Sequence, residues 1–139
     1  MKVLVYDSFP VCAKEIREAV FRDEQGFQNE FDEIDHTASH IVLFNEDELP
    51  VATCRVFWNK TMNAYTLGRL AVIKKCRGKN IGSAIVREAE KCVQEKGGKS
   101  IVLHSQCQAA GFYKKLGYEE FGDIENEEGC PHIWMRKSL

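Results

Sequence analysis

The feature that most constrains this chain is a change of period between residues 67 and 93. Leu67 to Ile73 (LGRLAVI) is an apolar run of strand length. Beyond it, Ile81, Ala84, Ile85, Ala89, Cys92 and Val93 recur at i, i+3, i+4, i+8, i+11 and i+12, which marks one face of a helix. Between the two lies CRGKNIGS (Cys76 to Ser83), with Arg77, Lys79, two glycines and an asparagine. A cationic, glycine-containing turn from strand into helix suits an anion. The helix start offers unpaired N–H groups and a partial positive charge, and glycine lets a ligand reach the backbone. The plainer alternative is an ordinary connection in an α/β domain.

The rest of the chain supplies the partners such a unit needs. Lys2 to Tyr6, His40 to Phe44, Val51 to Trp58, Tyr65 to Ile73 and Ser100 to His104 read as strands, with Asn45 to Pro50 as a hairpin turn. Ser8 is the expected N-cap of a helix carrying Cys12, Ile16, Ala19 and Val20 on one face and stopping at Gly26. Cys107 to Leu116 is a short helix. Tyr118 to Gly122 and His132 to Arg136 form a last strand pair joined by an acidic loop. Strands first and a β–α–β unit later predict a mixed α/β fold, one sheet flanked by helices, in a single domain over residues 1–139.

Bulk properties narrow the function. With 139 residues and a net charge of −2, nothing attracts the chain as a whole to nucleic acid or to an anionic membrane. One cluster, Lys74, Lys75, Arg77 and Lys79, is too small for a nucleic-acid face. No apolar run approaches a membrane span or a signal peptide, and six cysteines without a CxxC pair read as reduced thiols, so a cytoplasmic location is expected. Two acidic stretches, Asp23 to Asp35 and Glu119 to Glu128, contain no Lys or Arg. Either is a solvated surface, or both face a cationic substrate. His36 and His40 are four residues apart but fall on loop and strand with no third ligand, so no metal site is expected.

Neither a Walker A loop nor a dinucleotide fingerprint is present. The stretch RGKNIG (Arg77 to Gly82) instead resembles the Arg/Gln-x-x-Gly-x-Gly/Ala pyrophosphate loop of the GNAT N-acetyltransferases. CQAAGFYKKLGY (Cys107 to Tyr118) resembles that family's second cofactor motif. VFRDEQ (Val20 to Gln25), LHSQ (Leu103 to Gln106) and GCPHIWM (Gly129 to Met135) are similar to its ElaA-like branch, so the resemblance spans nearly the whole chain. One position departs from it. Asn80 stands where glycine is usual, and asparagine suits either a left-handed residue or an N-cap.

The resemblance implies a twisted mixed sheet of six to seven strands whose central parallel strands splay, with acetyl-CoA in the gap. Leu70, Ala71 and Val72 would offer backbone to the pantetheine. Arg77, Gly78 and Lys79 would serve the phosphates, with the amides of Asn80, Ile81, Gly82 and Ser83 around the pyrophosphate. Tyr113 takes the general-acid position, although a packed aromatic is its bland reading. Glu24 is the first base candidate, and His104 and His132 follow, each equally readable as a packing residue. Gln25 and Gln106 would orient an acceptor or simply satisfy backbone groups. A homodimer through the C-terminal strands is also implied.

Direct attack by an amine on the acetyl thioester sets two requirements. An alkylammonium of pKa about 10.4 is roughly one part in a thousand neutral at physiological pH, a cost of about 4 kcal/mol that a base must offset. A phenol near about 10 donates uphill to a thiolate near about 8.5, so Tyr113 is expected to assist within or below the general-acid range of roughly 10²–10⁴-fold. The expected function is acetyl transfer to a primary amine of a small molecule or peptide. The alternative is a domain that binds acyl-CoA without transferring from it.

Overall fold

In the computed structural model, which describes residues 1–28 and 30–139, seven strands form one sheet in the order β1-β2-β3-β4-β5-β7-β6. They are β1 (Lys2–Tyr6), β2 (Ser39–Phe44), β3 (Pro50–Asn59), β4 (Ala64–Val72), β5 (Ser100–Gln106), β6 (Glu119–Glu127) and β7 (Cys130–Ser138). Only β4 and β5 pair in parallel; every other neighbouring pair is antiparallel. Between β4 and β5 runs α2 (Ile81–Glu95), the crossover that a parallel pair requires. The other helices are α1 (Val11–Arg17), which continues as a π-helical segment over Glu18–Glu24, and α3 (Ala110–Lys115).

The two sheet faces bury separate sets of side chains. Ile41 and Leu43 of β2 pack with Ile85, Val86, Ala89 and Val93 of α2, whereas Val42 between them joins Ala13, Ile16, Val20 and Phe21 on the α1 side. That alternation is the strand period at work. The helical face read from residues 81–93 is the buried face of α2.

Three details differ from the sequence reading. Helix α1 starts at Val11 with Pro10 in the N-cap position, not at Ser8. A Ser8 cap would need Phe9 helical, and a residue before proline is pushed out of that region. Ala19 is exposed, because the π-helical segment adds a residue per turn and rotates the face: the Gln25 amide reaches back to the Val20 carbonyl at 3.1 Å. Finally, the strand read at Tyr118 to Gly122 continues through Asp123 to Glu127, which are strand and not acidic loop. Glu128 and Gly129, with φ of +49° and +79°, make the two-residue turn that hairpins favour, so the strands extend to it.

The centre of the sheet is only partly joined. β4 and β5 pair at Tyr65 with Ile101, Thr66 with Val102 and Leu67 with Leu103, and no further among the described residues. Beyond Leu67, β4 carries a bulge. Thr53 faces Ala71 and Arg55 faces Gly68, so Arg69 and Leu70 together oppose Cys54. Arg69 is left-handed at φ +51°, a conformation costing about 1–3 kcal/mol for a non-glycine residue. The bulge bends β4 away from β5 and leaves its last residues, on that side, without a strand partner.

Candidate active site

The parted strands enclose a cleft of about 1290 Å³ whose walls come from β4, β5, the π-helical segment, the start of α2, and α3. At its floor, Gly78 (φ +81°) and Asn80 (φ +61°) are both left-handed, and the chain enters α2 at Ile81. Asn80 makes no side-chain cap bond, so it stands there for its tolerance of this backbone and not as a cap. The first amides of α2 therefore keep their donors free for a ligand in the cleft. Gly82 permits close packing of α2 on α3: a Cβ there would lie 3.2 Å from the Phe112 ring.

Arg77 has partners within the protein. Its Nε donates to the Val72 carbonyl at 3.0 Å, and its two terminal nitrogens donate to Glu24 at 2.5 and 2.8 Å. These bonds hold the Glu24 carboxyl below its usual range, against a smaller opposing effect of desolvation. The sequence reading gave the two residues separate tasks; the fold makes them a pair across 53 positions. Lys79 is exposed beside the turn.

Tyr113 projects from α3 into the cleft wall and is 8% exposed. Burial, with a lesser contribution from the Cys54 thiol, pushes its phenol well above the ordinary value near 10. Phe112 and Tyr118 pack edge-on to it at 5.0 and 5.8 Å between ring centroids. Across the mouth, Gln106 of β5 donates to the Gln25 side chain at 2.9 Å, so these two residues span the gap.

His104 and His132 lie on the same face of the β5–β7 pair with ring centroids 5.0 Å apart, and His104 stacks on Trp134 at 4.5 Å. Two glutamates of β6 join them. Glu127 accepts from His104 Nδ1 at 2.9 Å and lies 3.6 Å from His132 Nε2, while Glu125 accepts from the Trp134 indole at 3.2 Å. The sequence reading named both histidines but neither glutamate, because it placed residues 123–128 in a loop.

The first acidic stretch has another use. Four of its six carboxylates pair with arginine: Glu24 with Arg77, and Glu30, Asp32 and Asp35 with Arg17, Arg55 and Arg69. Arg17 is 1% exposed and holds Glu30 at 2.9 Å and Asp35 at 2.7 Å; Arg55 reaches Asp32 at 2.6 Å and Asp35 at 2.9 Å. The stretch is thus a largely neutralised wall of the cleft and not a free acidic surface. Its signal was an arginine among the apolar positions of α1, spaced with Ala13 and Val20. Among the described residues no group of three or more His, Cys, Asp or Glu side chains is arranged to hold a metal. No helix there is long and apolar enough to cross a membrane.

A split parallel pair ending in an amide-lined turn, with this strand order, is the architecture implied by the two motifs. Residues 11–139 match the acetyltransferase (GNAT) domain family. The chain is a GNAT acetyltransferase. BSU40680 of Bacillus subtilis (strain 168), provisionally classed as an acetyltransferase, is 39% identical over 130 residues, covering 90% of this chain and 86% of that protein. ElaA of Escherichia coli (strain K12) is 28% identical over 130 residues, covering 90% of this chain and 84% of ElaA. The ElaA crystal structure superposes with a TM-score of 0.81 at 25% identity, covering 98% of this chain and 99% of that one. An aminoglycoside 6'-N-acetyltransferase solved with coenzyme A shares the GNAT fold, with a TM-score of 0.75 at 19% identity over 99% of this chain and 97% of that one. Family membership makes this GNAT protein a transferase with a seven-stranded sheet of the expected kind.

Proposed function

We propose that the protein transfers the acetyl group of acetyl-CoA to a primary amine by direct attack in a ternary complex. The observation that carries this reading is the gap beyond Leu67 and Leu103, which leads straight into the turn at Arg77 to Ser83. The pantetheine arm would add to β4 as a strand adds to a sheet edge, using the backbone of Leu70, Ala71 and Val72. A backbone N–H there would polarise the thioester carbonyl. The pyrophosphate would lie on the amides of Asn80, Ile81, Gly82 and Ser83, with Gly78 giving clearance and Arg77 and Lys79 supplying charge. Coenzyme A in the aminoglycoside acetyltransferase structure is consistent with such a site in this fold.

Tyr113 would meet the departing sulfur. With its phenol pushed up by burial, it assists chiefly by hydrogen bonding to the developing thiolate. Gln25, Gln106, His104 and His132 would contact the amine. Glu24 does not line the cleft itself, and a carboxylate locked to Arg77 with a lowered pKa is a poor acceptor for an alkylammonium proton, so we give it the task of holding Arg77.

Calorimetric titration with acetyl-CoA, with dephospho-CoA as control, tests the reading. Binding of acetyl-CoA followed by thiol release with a primary amine is expected. Binding without transfer to any of a panel of amines would favour a non-catalytic acyl-CoA sensor. Absence of binding at millimolar cofactor would sink both readings.

A further inference from the structure

The geometry around β6 and β7 assigns the proton that the acceptor amine must lose, given the acetyl-transfer reading above. His132 Nδ1 lies 2.8 Å from the Cys130 carbonyl oxygen. A carbonyl only accepts, so Nδ1 carries the hydrogen and the lone pair of the neutral ring is on Nε2. The His132 side chain is only 7% exposed and lines the cleft. Its Nε2 is 3.6 Å from Glu127 Oε2, too long for a hydrogen bond, and makes no other among the described residues.

The same logic fixes its neighbour. Glu127 Oε1 accepts from His104 Nδ1 at 2.9 Å, and the His104 ring is further held by stacking on Trp134. His104 Nε2 is buried without a hydrogen-bond partner, although Glu125 Oε1 stands off-line at 3.3 Å. One glutamate is thereby suspended between two imidazoles, with one oxygen committed to His104 and the other open towards His132.

We propose that His132 Nε2 accepts the proton of the incoming ammonium, and that Glu127, positioned by His104, holds the imidazolium that forms. The acceptor gives one proton to His132, and its freed lone pair forms the C–N bond to the acetyl carbon. The tetrahedral adduct collapses, the C–S bond breaks and its electron pair leaves on the sulfur of coenzyme A. A second amine proton is taken up at that sulfur. His132 then returns its proton to solvent, so one proton is released per acetyl group transferred. Glu127 acts through His132 and is a positioning residue. It also attracts a cation before transfer, so the acceptor class is a primary alkylamine that arrives charged.

Phenethylamine and its β,β-difluoro analogue test the assignment, because the fluorinated amine is far less basic and is largely neutral at the assay pH. With phenethylamine, His132→Gln should reduce transfer by about 10²–10⁴-fold, the range of a lost general base, and with the fluorinated amine by less than about tenfold. Glu127→Gln should lower kcat for phenethylamine alone, leaving the KM for acetyl-CoA in place. Equal losses on both amines would overturn the proton role. Nitrogen-15 spectra of the histidine side chains give a reading independent of any acceptor. The neutral His132 ring should carry its proton on Nδ1, and a proton on Nε2 would refute the proposal. Acetyl-CoA binding, measured on the same samples, keeps this outcome separate from failure of the acetyl-transfer reading itself.

Discussion

Tyr113 and Glu24 show how burial and pairing change what a side chain can do. A phenol raised above its ordinary value stays protonated throughout any workable assay range. Tyr113→Phe should therefore reduce transfer by about 10–100-fold without adding a pH limb, at the low end of general-acid effects. Steady-state rates across pH check this, and a new limb in the variant profile would contradict it. If Arg77 serves the phosphates as proposed, Glu24 competes with them for it. Glu24→Gln should tighten acetyl-CoA by about two- to fivefold, as expected for release of a solvent-screened pair, whereas Arg77→Ala should weaken it. Calorimetry on the two variants gives both signs.

At the scale of elements, the ion network joins α1, the segment from Glu30 to Asp35, and strands β3 and β4. Burial alone would raise the Asp35 carboxyl, but bonds from Arg17, the Asp32 amide and Arg55 outweigh it and hold it at about 2, against an ordinary 3.8. A depressed folded-state pKa contributes stability above the unfolded value that is lost as pH falls through the folded one. From pH 4 down to about 2, Asp35 should thus cost the fold roughly 2 kcal/mol. Urea midpoints should fall over that window and fall less in Asp35→Asn. Burial raises the Glu30 carboxyl despite Arg17 at 2.9 Å, so Glu30 works in the opposite sense, whereas Asp32, where Arg55 and Arg69 outweigh burial, is lowered like Asp35 and adds to the decline. Removing Arg17 leaves two buried carboxylates without their main partner, and Arg17→Met should cost about 3–5 kcal/mol in chemical denaturation.

These elements also show what the sequence could tell. Helix α2 and its turn were legible because periodicity and glycine placement are local, and Tyr113 because its motif is contiguous. Which carboxylate meets which arginine was not, since Arg17 and Asp35 or Glu24 and Arg77 meet only through the sheet. Glu127 was hidden for another reason. An exposed edge strand needs no apolar alternation, so past Gly122 the stretch Asp123 to Glu127 carries no strand pattern to read.

Across the whole molecule, carboxylates along β6 line the sheet edge, a device that discourages pairing with a second edge. The sheet itself is two parts: β1 to β4, and β5 with β7 and β6, joined by pairing at Tyr65 to Leu67 alone. Amides of β4 and β5 beyond that join should exchange with solvent faster than those of β2 and β3, and slow when coenzyme A is added. A cosubstrate that completes a sheet is also part of what keeps the chain folded. At a hundred times its dissociation constant it would add about 2.7 kcal/mol to stability, and the fraction of chains open to proteolysis would fall in step. The lifetime of this protein in a cell would then rise and fall with the supply of activated acetate, even when no acceptor is present.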